Sequence, residues 1–217
     1  MMKAIEKVRE LEIPEFNIWI NEAFFGLNQI KSECKSLNPN SNVLEIGCGS
    51  GILLYLCSSL FKTISFEGIE PFNSGFTKLS KCNKIMKEEG VNISNVGFEK
   101  FIPSKKYDLI YCVNVFEHVD DWRKFILNVT EWLKPGSKLI ILCPNYGFPY
   151  ESHFKIPVIY NKKITGFFFS RYIESFERQK NSTGLWESLN FVTKKELMSF
   201  ISQLSSLSVI DKVSIIE

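Results

Sequence analysis

The stretch NVLEIGCGSGILL, Asn42 to Leu54, sets three glycines on alternate positions directly behind a run of strand-forming residues that also carries one acid, Glu45. Glycine at positions 47, 49 and 51 frees the backbone for positive φ and removes the Cβ that would hold a ligand away. The helix expected to follow would aim unsatisfied N–H groups at that ligand. A phosphate-cradling loop of the form G-x-G-x-x-G needs a third glycine where this chain has Ile52, and that glycine serves a pyrophosphate held close to a helix N-terminus. A rearranged glycine set with an acid on the strand suits a cationic ligand that has no phosphate. A second cluster comes later, in CPNYGFPYESHFKIP, where Tyr146, Tyr150, Glu151 and His153 stand between Pro144, Pro149 and Pro157. Prolines at both ends stiffen such a segment, as a shaped pocket requires. His118 and His153 are the chain's 2 histidines, so a reaction needing a base of near-neutral pKa has few groups to draw on.

The elements that must carry these residues alternate. NVLEIG, TISFEGIEP, VNISNVGF, YDLIYCVNV and SKLIILCPN have the composition of buried strands, and GILLYLCSSLF, NSGFTKLSKCNKIMKEEG and EHVDDWRKFILNVTEWLKPG read as the helices between them. Gly90 is placed to end one helix and Pro135-Gly136 another. Strand–helix alternation implies parallel pairing through right-handed crossovers. The expected fold is therefore α/β, a Rossmann-like open and mostly parallel sheet with helices on both faces. A single domain over 1–217 is expected: a helical cap over 1–40, a ligand-binding core over 41–145, an aromatic-rich loop or lid over 146–190, and a final helix and strand over 191–217. Thr193 and Glu196 form a capping box at the start of that last helix, and SVIDKVSIIE reads as the last strand.

From the loop onward the chain resembles the class I S-adenosylmethionine-dependent methyltransferases. VLEIGCGSG is similar to their first motif at its defining positions, and the other pieces follow in order over about residues 40–145. The resemblance implies that Glu45, Gly47, Cys48, Gly49 and Gly51 bind S-adenosylmethionine, released after transfer as S-adenosylhomocysteine. It implies that Glu70, ending the second strand beside Pro71, accepts the ribose hydroxyls, each charge-assisted bond contributing roughly 1.5–3 kcal/mol. Phe98 and Glu99 fall where the family meets adenine, and Asn114 and Val115 where it meets the methionine part. The acceptor is expected beside the fifth strand's end, with Tyr146, Tyr150 and His153 binding it. His153 is the first choice of base, then Glu151 or Tyr150. His118 is a further candidate, with a structural hydrogen-bonding role as its alternative. PNY…PYE.HF is similar to methyltransferases of bacterial surface-polysaccharide synthesis, which implies a sugar or sugar-linked acceptor and O-methylation. N-methylation of a small molecule, or a non-catalytic cofactor-binding partner subunit, are the alternatives. No residue is assigned to a metal.

Composition bounds the rest. The chain has 217 residues, 45% hydrophobic and 23% charged, with a net charge of +2, too little for a broad phosphate-binding field, so nucleic acid is not an expected partner. The 6 cysteines show no Cys-x-x-Cys spacing and read as reduced, packed thiols of a cytoplasmic protein. No apolar run approaches the ~20 residues of a transmembrane helix. Phenylalanines left exposed in 156–190 would mark an interface with a second subunit, as in a homodimer, or with a lipid-linked acceptor. Lys162, Lys163 and Arg171 read as solvated charge.

Overall fold

A computed structural model of the protein describes residues 2–71, 77–204 and 207. The chain forms two compact units, one of residues 1–116 and 124–143, the other of residues 117–123 and 144–217.

The first unit is built on five parallel strands, β1 (Asn42–Ile46), β2 (Ser65–Ile69), β3 (Ile93–Ser94), β4 (Tyr107–Val113) and β5 (Leu133–Leu142), in the order β3-β2-β1-β4-β5. This is the Rossmann-like α/β architecture expected from the sequence. The order reverses between β1 and β4, and ligands of such sheets bind beyond the strands' carboxyl ends at that switch point. Alternation along the strands separates two buried faces. Val43, Leu109 and Tyr111 join one core with residues of α1 (Met2–Arg9), α2 (Phe16–Ser36), α3 (Ile52–Leu60) and α4 (Thr77–Glu88), while Leu44, Ile46, Ile110 and Cys112 point the other way and are equally buried. In α3 the residues Ile52 to Cys57 are all buried, which explains a helix apolar on every side.

Three boundaries differ from the sequence reading. The third strand shrinks to Ile93–Ser94, pairing only with Gly68 and Ile69 at the sheet's edge. The helix expected from Glu117 begins instead at Trp122 as α5 (Trp122–Trp132), and a 3₁₀ turn covers Phe116–His118. Pro135-Gly136 is not a turn between helix and strand. It lies inside β5, where the pairing with β4 jumps from Tyr107↔Leu133 to Leu109↔Lys138 and Gly136 takes φ +77°. Asp108 closes this irregular corner, bonded to Lys134 Nζ at 2.7 Å and to the Asn42 backbone N–H at 2.8 Å.

The second unit has its own apolar centre. The two-stranded antiparallel pair β6 (Tyr150–Glu151) and β7 (Ile156–Pro157) precedes α6 (Lys162–Lys180), the short α7 (Leu185–Ser188) and α8 (Lys194–Ile201). Phe154, fully buried, meets Phe176 and Trp186 with ring centroids 5.0 and 5.5 Å away, and Tyr146 stacks on Phe191 at 4.4 Å. Asn161 caps α6 by accepting the Ile164 N–H at 3.0 Å, and Thr193 with Glu196 forms the expected capping box of α8. Lys162 is not simply solvated, for its Nζ donates to the Glu187 and Leu189 carbonyls at 2.8 and 2.6 Å. The expected last strand falls outside the described residues. Among the described residues no helix is long and apolar enough to cross a membrane.

Candidate functional site

Two groups of side chains and backbone dipoles stand out, one in each unit. In the first unit the loop after β1 holds all three glycines at positive φ, +70°, +48° and +76°, but for different reasons. A Cβ on Gly47 would lie 2.4 Å from Val115 Cγ2, and one on Gly51 2.8 Å from Ile93 Cδ1, whereas one on Gly49 would meet nothing within 4 Å. The middle glycine therefore opens onto empty space and the outer two onto packed neighbours.

Glu70, at the end of β2, reaches that loop, its Oε2 accepting the Gly49 N–H at 2.8 Å. Burial pushes this carboxyl's pKa up and the Gly49 bond opposes the shift. Pro71 follows it at the surface. Asn114 directly follows β4 at φ +53°, with its N–H on the Leu142 carbonyl at 2.8 Å. Gly47, Gly49, Gly51, Glu70, Asn114 and Val115 thus gather at the carboxyl edge of β1, β2 and β4.

The other residues assigned from sequence have distinct surroundings. Glu45 is 3% exposed, and its Oε2 accepts the Tyr111 hydroxyl at 3.0 Å from the adjacent strand, where the two residues are register partners. Burial pushes its pKa up to about 8 against the help of Tyr111, and the charge of Glu70 pushes the same way. It is a neutral acid in the sheet at neutral pH. Cys48 is buried with its sulfur against Gly68. Phe98 is buried in edge-to-face contact with Phe125 at 5.0 Å, a core position, and Glu99 is exposed.

In the second unit, Glu151 is fully buried. Its Oε1 lies 2.7 Å from His153 Nδ1 and accepts the His153 N–H at 3.1 Å, and its Oε2 accepts the Phe154 N–H at 2.7 Å. Burial alone would raise this carboxyl, but these hydrogen bonds hold it below the usual range, so it stays an anion that orients His153. The Tyr146 hydroxyl approaches the same oxygen at 3.4 Å. His153 Nε2 lies 3.9 Å from Oε1 of Glu117, itself 1% exposed. His118 stands edge-on to His153 with ring centroids 5.4 Å apart, its Nδ1 2.9 Å from Ser188 Oγ. Burial, with His153 beside it, lowers the His118 pKa to about 4, so this ring is neutral at pH 7. Asn190 holds the segment in place, its N–H on the Glu117 carbonyl at 2.7 Å and its Nδ2 on the Val119 carbonyl at 3.0 Å.

Tyr146, Glu151, His153 and His118 are thus brought together. Tyr150 is not: it precedes Glu151 on β6, so alternation turns it outward, 44% exposed. Sequence reasoning missed Glu117 and Ser188. For Glu117 the signal was an acid beside one of two histidines; for Ser188 there was none.

A family model described as a methyltransferase domain matches residues 25–205. An uncharacterised protein of Mycobacterium tuberculosis is 32% identical over 190 residues, covering 86% of this chain and 64% of that protein. The ubiquinone biosynthesis O-methyltransferase of Rickettsia canadensis is 28% identical over 158 residues, covering 64% of each. The chain therefore spans under two thirds of the length of these curated relatives. Among solved structures, the plantazolicin methyltransferase BpumL in complex with a triazolic desmethylPZN analogue and SAH aligns with a TM-score of 0.53 at 17% identity, over 94% of this chain and 68% of that one.

Proposed function

This chain belongs to the class I S-adenosylmethionine-dependent methyltransferase family, and from that premise we propose that it methylates an oxygen of a small hydroxylated molecule or a sugar-linked acceptor. When bound, S-adenosylmethionine supplies a methyl group already activated on a sulfonium. The first unit fits such a donor. Among the described residues, no atom beyond its chain neighbours stands within 4 Å of where a Gly49 Cβ would be, which leaves this backbone open to the donor, and Glu70 would offer its carboxylate to the ribose hydroxyls. Asn114 and Val115 line the end of β4 for the methionine part. Glu45 acts from behind, holding β1 to β4 through Tyr111.

The observation that carries an oxygen acceptor is the buried Glu151 anion against His153, with Glu117 and His118 beside it. A hydroxyl must shed its proton as it attacks, and a positioned group that assists contributes ~10²–10⁴-fold. Aligning acceptor and donor contributes more, ~7–11 kcal/mol. The O-methyltransferase among the relatives supports the same choice of atom. A mass-spectrometric search for products heavier by one CH₂ across hydroxylated metabolites and nucleotide sugars tests it. Products methylated only on nitrogen would overturn the oxygen reading. His153→Ala should lower turnover while leaving cofactor affinity unchanged, and a wild-type rate would remove the cluster from the chemistry.

A further inference from the structure

Glu117, His118 and His153 each offer one ligand atom, and these three atoms all lie within 4.8 Å of one another. Both rings are fixed from behind. The Nδ1 of His153 is occupied by Glu151 at 2.7 Å and that of His118 by Ser188 at 2.9 Å, which leaves Nε2 as the coordinating position of each. Histidines that hold metals are usually oriented in this way, one nitrogen on the ion and the other donated to a carboxylate or similar acceptor. The third group is a carboxylate almost wholly removed from water, and buried carboxylates are found paired or bound to cations.

The geometry points to a site for one divalent first-row transition ion, held by Glu117, His118 and His153. Two imidazoles and one carboxylate suit zinc, manganese, cobalt or iron, whereas magnesium and calcium favour oxygen-only sets. Bonds of about 2.1 Å would set neighbouring ligand atoms about 3–3.5 Å apart. The observed 3.9 Å between His153 Nε2 and Glu117 Oε1 needs only a small side-chain adjustment to reach this. Three protein ligands leave coordination positions open, as in ion sites that take a substrate oxygen. That last assignment rests on the reading of this cluster as the part that activates the acceptor.

Cobalt alone is the probe. Tag-free protein, stripped with a chelator, is titrated with Co²⁺ while visible absorption and calorimetry are followed, and Zn²⁺ is then added to displace it. One equivalent should bind. Glu117→Gln and His153→Ala should each weaken binding by at least tenfold, and Glu151→Gln by about 10–100-fold through loss of ring orientation. His153 is partly exposed, so its replacement should leave the circular dichroism spectrum intact, and Glu117→Gln supplies a second variant of nearly unchanged shape. Binding of less than one equivalent, or wild-type affinity in His153→Ala, overturns the site. S-adenosylhomocysteine binding to the stripped protein is measured alongside. Its persistence without cobalt binding sinks this inference and spares the methyltransferase reading; cobalt binding without it does the reverse.

Discussion

Gly49 and Gly51 are two residues apart and make opposite demands. A side chain at 51 collides with Ile93 and Met86, whereas one at 49 enters open space. Gly51→Val should lower the melting temperature sharply or prevent folding. Gly49→Val should fold with a cost of about 1–2 kcal/mol from its positive φ and lose S-adenosylhomocysteine binding in calorimetry. Retained affinity in the folded Gly49 variant would show that the ligand lies elsewhere. Glu70→Ala should weaken the same binding by about tenfold or more, the value of one charge-assisted bond. Glu45 makes a different prediction. Its pKa in the folded chain is about 8 against an ordinary 4.5, so the folded protein retains a proton that the unfolded chain has released. The stability this contributes is complete below pH 4.5 and is lost as pH rises through 8. Glu45→Gln, which mimics the neutral acid, should flatten urea-measured stability across that window and exceed the wild type above it. Parallel pH profiles for the two proteins would contradict the burial argument.

At the scale of elements, the caps are the most exposed to test. Asn161 starts α6 with a side-chain bond, and Asn181 ends it in the left-handed region at φ +51°. Asn161→Ala should cost about 1 kcal/mol, while Asn181→Gly should be neutral or slightly stabilising, both measured by urea unfolding. Signals contained in a few adjacent residues were legible in the sequence. The glycine loop, the alternation that gives the parallel sheet, and the Thr193–Glu196 box all depend on near neighbours. What escaped depends on distant ones. Nothing near Glu45 announces that Tyr111 will stand opposite it in register. The Glu117–His118–His153 group is assembled from two separate segments, and Tyr150 is turned away by a strand only two residues long. The segment 156–190 was legible as a lid or helical cap, but the bounds of α6 were not, because its exposed side carries Phe167 and Phe168, 79% and 66% exposed, which erases the usual apolar period.

Across the whole molecule, two units each carry a separate apolar core, and five of the six cysteines are buried in the reduced form. Burial pushes Cys34 up to about 12 and Cys82 up to about 11, which leaves almost no thiolate to react at neutral pH. Ellman's reagent should therefore titrate one thiol quickly in the native protein and all six in guanidinium chloride. A native count of two or more would mean that the packed regions open on the timescale of the reaction. The single accessible sulfur is Cys143, exposed just past β5, where the chain leaves the first unit for the second. The unmodified sequence thus arrives with a built-in handle: an environment-sensitive dye attached there, with no engineered mutation, would turn any ligand-driven rearrangement at that crossing into a change of colour or brightness.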